Sequence, residues 1–387
     1  MKLLPIGQLT KSVSTWNPSK GRAGEFTYVD LGAIDNDVKA IIASSRVSTQ
    51  EAPSRARQLV GEGDVLVSTV RPNLNAVAVV PVHLDGATAS TGFTVLRPES
   101  SLDARYLFHW VRSPSFVADM VRKATGASYP AVSDRIVKES LIPAPPVEEQ
   151  RRIAGILDQA DALRAKRRQV LAHVESLTQS IFHDMFDGRQ TKTTLLGDVA
   201  EVVSGITKGR RTVDPTQPFP YLAVANVQAG HLKLDTVKTI DATDSEVSRF
   251  ALRTGDLVLT EGGDPDKLGR GTVWRGEITT CLHQNHVFRV RLNRDSQVLP
   301  EYLSAFLAGR EAKSYFLRSA KQTTGIASIN MTQLKGLSIV VPPLMDQSRY
   351  VERIANINSC VDRAKESLTM HDRLFSALQS RAFRGEL

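Results

Sequence analysis

Leu141-Ile-Pro-Ala-Pro-Pro-Val-Glu-Glu-Gln150 leads into a long helical stretch, and Ile339-Val-Val-Pro-Pro-Leu-Met-Asp-Gln347 leads into another. Gln150 and Gln347 mark the same point in each copy. The chain is thus an internal repeat in which a strand-rich domain followed by a long helix is written twice. Such an arrangement suits a molecule that reads two things at a fixed separation.

Before each copy the pattern is short β-branched runs broken by Gly, Pro and Asn. Phe26-Thr-Tyr-Val-Asp-Leu, Asp64-Val-Leu-Val-Ser-Thr-Val, Ala76-Val-Ala-Val-Val and Gly92-Phe-Thr-Val-Leu predict strands separated by turns. Pro220-Tyr-Leu-Ala-Val, Gly255-Asp-Leu-Val-Leu-Thr, Gly271-Thr-Val-Trp and His286-Val-Phe-Arg-Val-Arg repeat the order. Gly63-Asp64 and Gly255-Asp256 open equivalent strands. Short helices are expected near Ala104–Arg112, Ser115–Lys123 and Pro300–Ala308.

After Pro146 the period changes to that of a coiled coil. Ile156, Ala160, Leu163, Arg167, Val170, Val174, Leu177 and Ile181 alternate spacings of four and three. Ile354, Ile357, Val361, Ala364, Leu368, His371, Phe375, Leu378 and Ala382 do the same. One such stripe could lie on its own domain, but two matched stripes favour mutual antiparallel pairing. Arg167 is expected to reach the edge of the pair with its charge in water. Each helix would be about 55–60 Å long, beyond one turn of B-DNA at about 34–36 Å. The expected fold is mixed α/β, with domains at 1–146 and 188–343 and long helices at 147–187 and 344–387.

The 387 residues suffice for two ordinary domains. Lys and Arg total 49 against 41 Asp and Glu, a formal charge of +8 that favours a polyanionic partner. Cys281 and Cys360 are the two cysteines, which offers no disulfide framework. Neither a signal core nor a membrane-length apolar run is evident, so a cytoplasmic protein is expected.

The residues resemble the specificity (S) subunit of type I restriction-modification systems along essentially the whole chain. The most family-like stretch runs from Pro143-Ala-Pro-Pro-Val-Glu-Glu-Gln150 through Arg168, continuing through Leu177-Thr-Gln-Ser-Ile-Phe182 to Met185-Phe186. Ala377-Leu-Gln-Ser-Arg-Ala-Phe-Arg-Gly-Glu-Leu387 looks like the family's usual C-terminus. The segments Gly63–Asn75 and Leu259–Trp274 look like variants of its target-recognition domains. The resemblance implies two such domains, each reading half of a split sequence in double-stranded DNA, with paired helices as the ruler between them. It also implies docking of two methyltransferase (M) subunits, which recruit restriction (R) subunits. On that reading the chain binds no cofactor itself, and S-adenosylmethionine, ATP and Mg belong to the partners.

The residues carry little chemistry of their own. Asn17-Pro18 is followed by Ser19, not by the second proline and aromatic that an adenine methyltransferase uses on a flipped base. A phosphate-binding Gly-x-x-x-x-Gly-Lys-Ser/Thr loop is also missing. Asp30, Asp37 and Lys39 have loosely the composition of a metal-dependent nuclease site, and Asp264-Pro-Asp-Lys267 reads better as a polar turn positioning Lys267. Cys281, His283 and His286 have zinc-like spacing without a fourth ligand, and strand alternation turns neighbours to opposite faces. No catalytic or metal-binding residue is therefore assigned.

DNA reading needs planar donors and acceptors on loops, backed by cations on phosphates. In the first domain the candidates are Arg71, Asn73, Asn75, Ser128 and Tyr129, with Pro72 stiffening the turn. In the second they are Lys267, Arg270, Gln284 and Asn285, with Lys208, Arg210 and Arg211 on phosphates. Helix pairing is assigned to Ile156, Leu163, Val170, Val174 and Leu177 against Ile354, Val361, Leu368, Phe375 and Leu378. The expected function is non-catalytic recognition of a bipartite DNA site, directing adenine-N6 methylation and restriction by partner subunits. The rival readings are a coiled-coil scaffold for proteins and a stand-alone nuclease.

Overall fold

A computed structural model describes residues 2–126, 128–188, 192–264, 267–323 and 326–387. The mixed α/β chain divides into two compact units, Met1–Val170 with Ala364–Leu387, and Leu171–Arg363. Each unit owns part of both long helices, the central one at Val147–Phe186 and the C-terminal one at Leu344–Arg384.

In the first unit an antiparallel sheet is ordered Thr10–Lys11, Phe93–Pro98, Val65–Ser68, Val77–Val79. Its Val65–Ser68 strand is buried on both faces, which is why it reads as an unbroken apolar run. Val65 and Val67 pack with Leu107, Phe116, Ile153 and Leu157 from the helices, while Leu66 joins Val29, Ala89 and Phe93 on the other side. A second sheet, ordered Ser45–Ser48, Glu25–Val29, Thr88–Ser90, Ala56–Leu59, closes that other side. Asp103 and Ser113 cap the helices Ala104–Val111 and Pro114–Lys123 by accepting from the Tyr106 and Phe116 amides.

The second unit repeats the plan. Its antiparallel sheet is ordered Ala200–Ser204, Val287–Leu292, Leu257–Thr260, Gly271–Val273. Leu257 and Leu259 pack with Phe182, Tyr302 and Tyr350, and Val258 with Leu222, Trp274 and Cys281. In both units a parallel pair sits in the second sheet, Tyr28 beside Thr88 and Tyr221 beside Leu282.

The repeated Pro-Pro-x-x-x-Gln element has a structural reason. Gln150 accepts from the Asp103 amide at 2.9 Å and donates to the Ser101 and Pro145 carbonyls at 3.0 and 2.8 Å. Gln347 accepts from the Leu299 amide at 2.8 Å and donates to the Gln297 and Pro342 carbonyls, both at 2.8 Å. Both side chains are buried. Each satisfies backbone groups that would otherwise be stranded where the helix starts, so a glutamine is required at that offset. Tyr106 and Tyr302 add hydroxyl bonds to the Pro143 and Val340 carbonyls at 2.9 and 2.8 Å.

Within the first unit the two helix segments run antiparallel, since Arg152 reaches the Leu387 carbonyl at 2.8 Å while Arg164 reaches Asp372 at 2.7 Å. On the C-terminal helix the expected stripe is the inward one: Ile354, Val361 and Phe375 are buried, and Leu368 and Leu378 half-buried. The central helix requires a correction. Leu163, Val170 and Leu177 are 44, 51 and 44 % exposed, although Ile156 and Val174 are half-buried. Past Ile153, which is buried in register with that stripe, the inward positions lie one residue along, with Leu157 buried and Arg164 and Arg168 half-buried. Two arginines occupy places that a hydrophobicity pattern reserves for apolar residues. Arg164 stacks its guanidinium 4.3 Å over Phe375 and pairs with Asp161 and Asp372, so its stem is buried with its charge satisfied. Arg167 is exposed.

Candidate nucleic-acid interface

In the first unit the chain leaves the Val65–Ser68 strand and makes one tight turn, Pro72–Leu74, between Arg71 and Asn75. Both flanking residues are left-handed, at φ 49° and 48°. Asparagine tolerates that conformation, but for arginine it stores strain on the order of 1–3 kcal/mol, which surrounding contacts must hold. The Arg71 amide donates to the Pro130 carbonyl at 2.7 Å, the Asn75 carboxamide donates to the Val111 carbonyl at 2.9 Å, and Lys39 Nζ donates to the Asn75 carbonyl at 2.6 Å. Burial pushes the Lys39 ammonium down to about 8.

The facing loop is tied to the same turn. Thr125 and Ala131 exchange backbone bonds at 2.9 Å, and the Val132 amide reaches the Thr69 carbonyl at 2.9 Å. Gly126, at φ 101°, lies where a Cβ would come 2.8 Å from the Tyr129 carbonyl oxygen. Tyr129 is thereby held outward, with the Arg71 guanidinium 5.0 Å over its ring. Arg71, Asn73, Ser128 and Tyr129 are exposed. Asn75 differs, because its amide group is committed to Val111 and shapes the turn.

In the second unit Gln284 and Asn285 sit between the strands Leu282–His283 and Val287–Leu292. Ser204 donates its hydroxyl to the Asn285 carbonyl at 2.6 Å, and the Glu261 amide donates to the His286 carbonyl at 3.0 Å. A Cβ on Gly205 would fall 1.9 Å from the His283 carbonyl oxygen, so only glycine admits this approach. Beyond it, Lys208 and Arg211 are exposed. Arg210 is not a comparable cation: it makes a bidentate pair with Glu246 and donates to the Asp241 carbonyl at 2.8 Å. That guanidinium pulls the Glu246 carboxyl down to about 2. Lys267 pairs with Asp264, while Pro265 and Asp266 of the expected polar turn lie outside the described residues. Arg270 Nε is buried and meets no hydrogen-bond partner among the described residues.

The weaker constellations do not assemble. Lys39 points onto the Asn75 carbonyl, and Asp37 is exposed on its own hairpin, so the nuclease-like set has no shared site. Cys281 and His283 are buried whereas His286 is exposed and pairs with Glu261 at 2.6 Å. Burial raises the Cys281 thiol to about 12 and lowers His283 to about 4. Among the described residues no group of three His, Cys, Asp or Glu side chains could hold a metal ion. Sequence reading missed the Glu261–His286 pair beside Asn285; the signal was their place at the adjoining ends of the paired strands Leu257–Thr260 and Val287–Leu292. Among the described residues no helix is long and apolar enough to cross a membrane.

Residues 28–175 match the family described as the type I restriction modification DNA specificity domain. The chain is 24 % identical over 317 residues to the type I restriction enzyme EcoKI specificity subunit of Escherichia coli K12, covering 76 % of this chain and 68 % of that protein. It is also 24 % identical over 314 residues to the StySPI specificity subunit of Salmonella potsdam, covering 76 % and 67 %. The chain is similar to type I specificity subunits. Fold similarity extends along its length. A chain from a structure on complex assembly and conformational transition of the type I R-M system aligns with TM-score 0.64 at 24 % identity, covering 100 % of this chain and 98 % of that one. The type I S subunit from M. genitalium aligns at TM-score 0.50 and 13 % identity, over 99 % and 96 %. After the equivalent strands Val65–Ser68 and Leu257–Thr260 the two units make matching bonds, from the Val132 amide to the Thr69 carbonyl at 2.9 Å and from the Ile329 amide to the Glu261 carbonyl at 3.0 Å.

Proposed function

We propose that this chain recognises a bipartite site in double-stranded DNA, one half through each unit, and directs adenine-N6 methylation and restriction by partner subunits. The observation that carries this reading is the duplicated presentation. Arg71 and Asn73 follow the Val65–Ser68 strand, with Ser128 and Tyr129 on the loop bonded to it. In the second unit Asn285 lies next to His286, which meets Glu261 at the end of the equivalent Leu257–Thr260 strand, and exposed Lys208 and Arg211 follow Ile206, which bridges Gln284. Amide and guanidinium groups can pair two-point with adenine or guanine edges, and the outward cations suit phosphates.

The same reading makes the chain a non-catalytic, cytoplasmic subunit that binds no cofactor. S-adenosylmethionine, ATP and Mg would serve two methyltransferase subunits and the restriction subunits they recruit. The exposed Leu163, Val170 and Leu177, with Met370 and Leu374 on the C-terminal helix, supply apolar surface for such partners.

The test is co-expression with a neighbouring methyltransferase gene and genome-wide mapping of N6-methyladenine with and without this chain. A split motif dependent on the chain is the expected result. An active methyltransferase that binds the chain yet yields no chain-dependent motif would favour a protein scaffold instead.

A further inference from the structure

Three of the four non-glycine residues with positive φ among the described residues, Lys39, Arg71 and Asn75, meet at one place in the first unit. Clustered strain of this kind marks functional surfaces. Lys39 closes a hairpin whose strands are Ile34–Asp35 and Ala40–Ile41. Asp35 Oδ1 accepts from the Asp37 and Val38 amides, both at 2.8 Å, and the Lys39 amide reaches the Asp35 carbonyl at 2.8 Å. The tip is therefore rigid, and Lys39 Nζ fastens it to the Asn75 carbonyl.

What the hairpin shows outward is unusual beside a basic turn. Val38 and Ile42 are 64 and 65 % exposed, and Asn36 and Asp37 are exposed between them and the strands. The hairpin's own cation is turned inward, so the tip offers Val38, the Asn36 amide and the Asp37 carboxylate, and Ile42 adds an exposed apolar group at the open end opposite Ala33. Phosphates would repel it. Base edges in the major groove would not, because thymine presents a methyl group and cytosine an N4 donor there.

We propose that the Ile34–Ile41 hairpin with Ile42 is a base-reading element of the first unit, in which Val38 and Ile42 meet thymine methyl groups and Lys39 is the positioning residue that fixes the element to the Arg71–Asn75 turn. This rests on the DNA-recognition reading. The occupant is duplex DNA because the hairpin continues the surface that carries exposed Arg71 and Tyr129.

The experiment compares wild type, Val38→Ser with Ile42→Ser, Lys39→Met and Lys39→Arg, each full-length and co-expressed with the methyltransferase, by N6-methyladenine mapping. The wild type must give a split motif; if it does not, the DNA-recognition reading itself fails. The double serine variant is expected to lose preference about fivefold or more at a thymine of one half-site, leaving the other half-site intact. Lys39→Met should blur the same half-site, and Lys39→Arg should restore part of it. Unchanged preference at every position, or equal loss in both half-sites, overturns the proposal. If methylation vanishes, competition binding by the purified variant decides: loss confined to cognate sequence supports the proposal, and equal loss on unrelated DNA overturns it.

Discussion

Arg97 holds Asp64 through two hydrogen bonds, Nε to Oδ1 at 2.8 Å and Nη2 to Oδ2 at 2.7 Å. Arg291 holds Asp256 in the same way, with both bonds at 2.7 Å. Each aspartate also accepts a backbone amide, from Gly61 at 2.8 Å and Arg253 at 2.7 Å. Gly63 and Gly255 precede them at φ 80° and 93°. The fork pins the start of the equivalent strands Val65–Ser68 and Leu257–Thr260.

Removing one carboxylate leaves a guanidinium and a backbone amide without their acceptor. Asp64→Ala or Asp256→Ala should each destabilise the chain by about 2–4 kcal/mol. Chemical denaturation with a probe in each unit checks this, and the larger change should appear in the unit that carries the substitution.

Gln150→Leu and Gln347→Leu should behave as another matched pair. Each strands one amide and two carbonyls, for a loss of about 2–3 kcal/mol. Glutamate at either position is expected to fail too, because it cannot donate to the Pro145 or Pro342 carbonyl. Melting of both variants beside wild type is the measurement.

The three cations of the Lys208–Arg211 loop should separate in salt titrations. Lys208→Ala and Arg211→Ala are expected to weaken binding to all duplexes alike and to lower the salt slope by about one each. Arg210→Ala should leave that slope unchanged and lower thermal stability, since its partners are Glu246 and Asp241.

His283 predicts acid sensitivity in the second unit. Burial holds it at about 4 against an ordinary 6.5, so the unfolded chain takes up the proton first as pH falls. Stability should decline as pH drops from 6.5 towards 4, with a slope on the order of 1.4 kcal/mol per pH unit. His283→Gln should flatten that segment of a pH-stability curve.

Leu157→Glu should prevent the first unit from folding, because Leu157 is fully buried. Leu163→Glu should leave the isolated chain's melting temperature within a degree or two, as surface changes commonly do. Co-purification with the methyltransferase then reports whether Leu163 faces a partner.

The strands and the repeat were legible because both obey simple periods: Val65–Ser68 and Leu257–Thr260 stand out as apolar runs after Gly-Asp. The C-terminal helix was legible for the same reason. The central helix was not, since Arg164 and Arg168 face inward through contacts with Phe375 and Asp372 that lie far away in sequence. At the candidate interface, turn chemistry singles out Arg71 and Tyr129, and the structure sets the Arg71 guanidinium 5.0 Å over the Tyr129 ring. The roles of Asn75, Arg210 and Lys39 were hidden because a side chain's hydrogen-bond partners are set by tertiary structure. Nothing local distinguishes Arg210, tied to Glu246, from exposed Arg211.

Phe375 and Ala382 lie in the core that also holds Val65 and Leu107. The first unit is therefore discontinuous along the chain, while Leu171–Arg363 is contiguous. During translation residues 1–170 emerge first but lack part of their interior until residues 364–387 follow. The second unit can close before the first is complete, so folding on the ribosome reverses the usual N-to-C order. A premature stop just after Arg363 would injure the domain that was synthesised earliest.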